Sequence, residues 1–467
     1  MLYSTMYEKD GVVELRSNMS DFEFQSEEDK REFRRKRRVR NQILAYVSLV
    51  MVLLLITVAG FFAIKAGSAA IAEQKQQKLE EEALAQATEE MTQTSEVESE
   101  PETVIEEETT TVVEYSDEEL LDEIVDACIS EMSLEDKVAG LFIVTPEALT
   151  GVSTAVKAGD GTKEALEKYP VGGLIYFKKN IQSEEQIKEM LANTVSMSKY
   201  PLFLAVDEEG AGVARVADAL GLEEADSAAE IGASGDANNA YNTYKEIGTY
   251  LAEYGFNLNF APVADVLTDS ENEAIGERSF GSDPAVVSSM VASSVTALEE
   301  VGVTPCMKHF PGQGDADGDT HEGLASSDRT LEEIKETELK PFAAGMEAGA
   351  QMIMVGHFTV PAIDEDNTPA SLSKKVITDL LREEMGYNGV VITDALNMAA
   401  ISEYYDSAQA CIMAFKAGAD MVLMPEDFEA AYEGVLAAVK DGTISEARIN
   451  DSLRRVYRIK YKETIDN

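Results

Sequence analysis

The chain has 467 residues, a formal charge of −48 and 45% hydrophobic residues, enough for a large buried core. Residues 1–66 are near balance, with 11 basic and 9 acidic side chains, so the remaining 28 basic and 78 acidic side chains leave a net −50 on the rest. That field repels phosphate backbones and anionic head groups, which excludes nucleic acid as a partner.

Arg34-Arg35-Lys36-Arg37-Arg38-Val39-Arg40 leads into a stretch with no charge from Gln42 to Ile64. Residues 42–66 are long and apolar enough for one transmembrane helix. The basic cluster before it keeps the tail 1–41 cytoplasmic and sends the remainder outside. The tail ahead of this core and the generous apolar length favour an uncleaved membrane anchor over a signal peptide. Residues 67–115 are rich in Glu, Gln, Thr, Ser and Ala, as in Glu106-Glu107-Glu108-Thr109-Thr110-Thr111. They lack the apolar content to offset ordering entropy and read as a flexible acidic linker.

From residue 116 to 467 the pattern changes. Helical spacing starts with Leu120, Leu121, Ile124, Val125 and Ile129, and short apolar runs then alternate with longer amphipathic stretches. The runs are Gly140–Thr145, Val171–Lys178, Pro201–Asp207, Asn257–Asp265, Thr304–Phe310, Gln351–His357, Gly389–Asp394 and Ala419–Pro425. Eight β-like runs separated by helix-sized segments predict βα units closing into a single (β/α)8 TIM-type barrel. The competing open doubly wound sheet lacks its Gly-rich fingerprint after the first strand. The three cysteines, Cys128, Cys306 and Cys411, lie in apolar contexts and make no disulfide framework.

Several runs end in a polar residue: Asp207, Asp265, His309, His357 and Asp394. In a barrel those C-terminal strand ends converge on one face, where active sites sit. Two of the three histidines of the chain fall within Lys308–His321, a run that also holds Asp315, Asp317 and Asp319. Histidine moves a proton most easily near neutral pH. On its own, Asp394 is equally well placed as a catalytic carboxylate or as the N-cap of the next helix. His357 suits a hydrogen-bonded wall, and Asp265 and Asp420 suit holding loops. Asp315, Asp317 and Asp319 fail as a calcium loop, because Thr320 and Ser326 stand where that pattern needs Gly and Glu. No metal-ligand spacing is present, so neither metal nor cofactor is expected.

Lys308-His309-Phe310-Pro311-Gly312, Asp319-Thr320-His321 and Ile392-Thr393-Asp394 together resemble glycoside hydrolase family 3, in its NagZ-like β-N-acetylhexosaminidase branch. Met132–Lys137, Val206–Gly210, Asn257–Val263 and Arg278–Gly281 add to the likeness, which covers roughly residues 117–465. The resemblance implies Asp394 as nucleophile of a covalent glycosyl-enzyme, His321 as general acid/base and Asp319 as its partner. It also implies Asp207, Arg215, Arg278, Lys308 and His309 as the residues that hold the terminal sugar. A histidine can serve where most glycosidases use a second carboxyl group, and two-residue spacing puts Asp319 and His321 on one side of an extended segment. Family relatives with β-glucosidase activity draw the acid/base from a second domain. This chain stops at Asn467, soon after the last expected helix, so the acid/base is expected from the loop of the barrel itself.

The chain departs from the family at Gln313, where a second loop histidine is common, at Thr320 for serine, and at Ala211-Gly212 for glycine then arginine. The expectation is a retaining exo-β-N-acetylglucosaminidase acting on cell-wall fragments or related glycans, muropeptides included, anchored in the membrane with its catalytic domain outside. Phosphorolysis, β-glucosidase activity and a catalytically silent wall-binding module are the alternatives. Oligomeric state is not legible in the sequence.

Overall fold

The computed structural model describes residues 116–466, so the expected tail, membrane span and acidic linker lie outside the described residues. Among the described residues no helix is long and apolar enough to cross a membrane. The described residues form one compact unit.

The first helix, α1 (Asp117–Glu131), starts at Ser116, whose hydroxyl accepts from the Glu119 amide while the Glu119 carboxylate accepts from the Ser116 amide. This reciprocal cap satisfies amides that have no partner inside the helix. Eight strands follow: β1 (Phe142–Val144), β2 (Gly173–Ile175), β3 (Phe203–Val206), β4 (Leu258–Asn259), β5 (Thr304–Phe310), β6 (Met352–Val355), β7 (Val390–Ala395) and β8 (Met421–Leu423). Each is parallel to its sequence neighbours, and β8 pairs with β1 through Phe142↔Val422 and Ile143↔Leu423, closing the barrel. All eight expected runs supply a barrel strand.

Two boundaries differ from expectation for local reasons. The β4 run is regular only over Leu258–Asn259, because Pro262 has no amide to donate to a ladder. The chain nevertheless stays beside β5, with the Cys306 and Lys308 amides donating to the Ala261 and Pro262 carbonyls, so Asp265 still reaches the barrel mouth. After β3 the chain makes a small antiparallel hairpin, Glu208–Gly210 with Val213–Ala214, which the periodicity did not announce.

Alternate side chains of the strands fill the barrel, among them Ile143, Phe203, Phe260, Cys306, Met354 and Ile392, while the other faces pack under the helices. The last helix, Glu446–Asp466, contributes Val456 to this inner core. It closes the N-terminal end of the barrel. Asp420, just before β8 and fully buried, lies there too, paired with Arg382 and Arg455 and accepting from the Ser452 hydroxyl at 2.8 Å and the Val391 amide at 3.0 Å. Asp420 therefore serves the scaffold, at the opposite end from the polar strand ends.

Lys460 on that last helix donates to the Gly172 carbonyl at 2.7 Å and lies over the Phe203 and Tyr457 rings, and no carboxylate among the described residues pairs with it. By surface area the side chain is only part-buried. Protein nonetheless surrounds the ammonium, and this burial pushes its pKa down to about 7. A lysine whose pKa falls on folding costs stability fully below that folded value, and the cost fades as pH climbs toward the ordinary 10.5. Lys460→Met is therefore expected to raise the urea stability at pH 7 by on the order of 1–2 kcal/mol, allowing for solvent screening. Its advantage should shrink between pH 7 and 10.5, and urea titrations of both proteins across that range check it.

Candidate active site

The C-terminal strand ends open onto a cavity of about 320 Å³. Asp207, Arg215, Arg278, Lys308, His309, His321 and Asp394 all line it, so seven of the eight residues singled out from the sequence meet there. The eighth, Asp319, is bonded to His321. Ile175, Phe177, Val213, Met354, Met398 and Met424 add an apolar lining to the same cavity.

The charged wall is an alternating chain. Lys308 on β5 donates to Asp207 at 2.7 Å and lies 2.7 Å from Glu209. Glu209 in turn receives both Nε and a terminal nitrogen of Arg278, each at 2.8 Å. The Lys308 and Glu209 side chains are only 4% and 5% exposed, so neither charge is tenable without the other. Burial opposes ionisation of Glu209, but Lys308 and Arg278 outweigh it and hold its carboxyl far below the usual range. Burial likewise opposes the Lys308 ammonium, and Asp207 and Glu209 outweigh it, raising its pKa.

Glu209 was missed in the sequence, where it looks like one acid of a polar run. The signal was available: in an extended segment Asp207 and Glu209 share a side and Glu208 faces away. Glu208 does so. It is fully buried, accepting from the Val216 and Ala217 amides at 2.7 and 2.9 Å and from the Tyr250 hydroxyl at 2.7 Å. It thereby anchors the start of helix Arg215–Leu220 and sets Arg215 at the cavity. The buried Nε of Arg215 has no hydrogen-bond partner among the described residues.

Asp394, near the end of β7, accepts from the Ala395 amide at 2.7 Å. Burial raises its pKa, but His309, that amide and Lys308 prevail, so the carboxyl lies below its ordinary range and is ionised at neutral pH. It does not cap a helix: the short helix that follows, Ala399–Ser402, has Met398 at its N-cap. His357 is the wall expected of it. Its Nε2 lies 3.0 Å from the Ala395 carbonyl and its Nδ1 2.7 Å from the Ser371 hydroxyl. A carbonyl only accepts, so Nε2 carries the proton, and burial lowers the pKa and keeps the ring neutral.

His321 and Asp319 meet at 2.9 Å through Nδ1 and Oδ1. The expected contact is present, but not from an extended segment. Asp319 Oδ1 also accepts the His321 amide at 2.9 Å, and its carbonyl accepts the Glu322 amide, so the pair sits in a turn. The His321 side chain is 68% exposed, in contrast to buried Lys308 and Glu209. The loop that carries it is bolted down at its start. Gly314 lies so close to the chain after β4 that a Cβ there would fall 1.7 Å from the Val266 carbonyl oxygen. Gln313, the departure from the family, is buried, its amide donating to Asp265 at 2.7 Å and its side chain 3.5 Å from the buried Thr320 hydroxyl.

Among the described residues no group of three or more His, Cys, Asp or Glu is arranged to hold a metal ion. Residues 133–459 match the glycosyl hydrolase family 3 N-terminal domain. The chain belongs to glycosyl hydrolase family 3. A β-hexosaminidase A of Pseudoalteromonas piscicida is 35% identical over 331 residues, which cover 64% of this family 3 chain and 54% of that protein. A β-hexosaminidase of Chromobacterium violaceum is 36% identical over 276 residues, covering 58% and 75% respectively. The family 3 β-N-acetylglucosaminidase of Paenibacillus sp. str. FPU-7 superposes with a TM-score of 0.67 at 34% identity, over 72% of this chain and 64% of that one. The family 3 chain thus spans about half of the Pseudoalteromonas protein and just under two thirds of the Paenibacillus chain.

Removing the Glu209 charge takes one of two carboxylate partners from buried Lys308 and the ion-pair partner from part-buried Arg278. Glu209→Gln should cost about 3–5 kcal/mol of stability at neutral pH by urea unfolding. Because the folded pKa is depressed, this contribution is present above pH 4.5 and lost as pH falls below it. The gap between variant and parent should therefore narrow on acidification.

Proposed function

We propose that this chain is a retaining exo-β-N-acetylglucosaminidase that removes terminal N-acetylglucosamine from cell-wall fragments or related glycans. One observation carries the reading: a single small cavity joins a carboxylate held ionised, a histidine backed by its own carboxylate, and a compensated row of charges. The cavity lies at the low end of ligand-pocket volumes, which suits one terminal sugar better than a chain running through. Its charged wall offers donors and acceptors to ring hydroxyls, and its apolar lining suits the C–H face of the ring.

In this reading Asp394 attacks the anomeric carbon, and its new C–O bond forms as the glycosidic C–O bond breaks. His321 gives the Nε2 proton to the departing oxygen. Water then attacks the same carbon from the vacated side, His321 recovers a proton from it, and Asp394 leaves as carboxylate with the bond electrons. Two displacements return the original configuration. Asp319 accepts from Nδ1 throughout and stabilises the imidazolium whenever it forms, as the third member of a triad does. Lys308, His309, Asp207, Arg278 and Arg215 hold the sugar. The names of the relatives, β-hexosaminidase and β-N-acetylglucosaminidase, support the choice of sugar.

The apolar stretch 42–66 and the basic residues before it support a membrane anchor with the barrel outside the cytoplasm, where cell-wall glycans lie. The full-length protein should hydrolyse an aryl β-N-acetylglucosaminide to β-configured product, seen by NMR before mutarotation, at a rate independent of added phosphate. Asp394→Ala should lower kcat by on the order of 10³-fold or more. Inverted product, phosphate-dependent turnover or full activity in the variant would each contradict the reading.

A further inference from the structure

Asp265 is fully buried, and no Lys or Arg among the described residues forms an ion pair with it. Its carboxylate is met instead by hydrogen bonds. Oδ2 lies 2.8 Å from His309 Nδ1, the His309 backbone amide reaches the two oxygens at 3.1 and 3.2 Å, and Oδ1 accepts the Gln313 amide at 2.7 Å. A buried carboxylate persists only with such compensation. It can only accept, so each partner must bring a proton, and for the imidazole that proton is on Nδ1.

The consequence for His309 is specific. With Nδ1 committed to Asp265, Nε2 makes no hydrogen bond among the described residues, while the ring lines the cavity. His309 and Asp394 line the same cavity, so the ring shares it with the proposed nucleophile. The other oxygen of the same carboxylate holds the first turn of the loop that carries Asp319 and His321.

We propose that Asp265 is a positioning residue: it fixes His309 with Nδ1 protonated and Nε2 turned toward a sugar hydroxyl, and it fastens the acid/base loop to the same point. The proposal rests on the reading of the cavity as a sugar site. Asp265 touches no substrate and acts through His309 and Gln313. Its two bonds from one carboxylate tie the group that grips the sugar to the start of the loop that moves the proton, so the two cannot shift independently.

The chain has only three histidines, and the geometry gives them distinguishable states: Nδ1 protonated in His309 and His321, Nε2 protonated in neutral His357. Full-length protein labelled with ¹⁵N-histidine, assigned with single His→Asn variants, reads these states from long-range ¹H–¹⁵N correlations. In the parent protein His309 is expected to carry its proton on Nδ1. Asp265→Asn presents an amide to that nitrogen and should move the proton to Nε2, leave the His357 pattern unchanged, and lower kcat/KM by on the order of 10²-fold. Asp265→Glu, which keeps the charge, should restore the Nδ1-protonated state. A parent His309 protonated only on Nε2 overturns the proposal even if no variant folds. So does an Asp265→Asn protein that keeps Nδ1 protonation or parental kcat/KM. The expected tautomers in a protein without glycosidase activity would retire the sugar reading but keep the Asp265–His309 lock.

Discussion

Glu209 and Lys308 are taken out of water at the mouth of this barrel, Asp207 and Arg278 flank them half-buried, and the site depends on these charges cancelling one another. Asp207 and Glu209 follow β3, Arg278 lies in the segment after β4, and Lys308 is on β5, so three neighbouring strand ends supply one row of alternating charge. Either buried charge, Glu209 or Lys308, would be expelled or neutralised if left alone at that depth. Together they survive, and a parallel barrel provides the arrangement because all its strand ends of one polarity open on the same face. The compensated row leaves donors and acceptors aimed into the cavity without flooding it with net charge, although the chain as a whole is strongly acidic.

The two proposed reacting groups stand in different surroundings, as their roles require. Asp394 lies where His309, a backbone amide and Lys308 favour its charged form against burial, which suits a nucleophile that must also leave again as a carboxylate. His321 sits on an exposed turn, where a leaving oxygen and an incoming water both have access, and its one side-chain partner among the described residues is Asp319. The buried half of the site hangs on strands. The exposed half hangs on a loop whose first turn is tied to Asp265 and packed against the Val266 backbone.

Much of this was legible before any coordinates, and for a physical reason. Strands buried on both sides must be apolar throughout, so each barrel strand shows as a run, and the polar residue ending the run marks the mouth. Asp207, His309 and Asp394 were found that way. What stayed hidden depends on chain geometry finer than apolar spacing. The hairpin after β3 has no apolar period, and Glu208 and Glu209 look alike in a line of letters although they face opposite ways. Asp265 ends its run as expected, yet its role comes from contacts with His309 and Gln313, 44 and 48 positions later. The Asp319–His321 contact was expected from extended spacing and is made by a turn instead, because Asp319 Oδ1 accepts both the ring and the amide of His321.

The central claim is that a strand-end aspartate becomes covalently bound to the sugar while a loop histidine manages the protons. Intact-mass spectrometry of the full-length His321→Ala protein, quenched during turnover of an activated aryl β-N-acetylglucosaminide, tests it directly. Such a leaving group needs little protonation, whereas hydrolysis of the glycosyl-enzyme still needs a base, so the intermediate should accumulate. The account predicts a mass gain of one N-acetylhexosaminyl group, located by peptide mapping to Asp394. No adduct during continued turnover, or an adduct on any other residue, would contradict it.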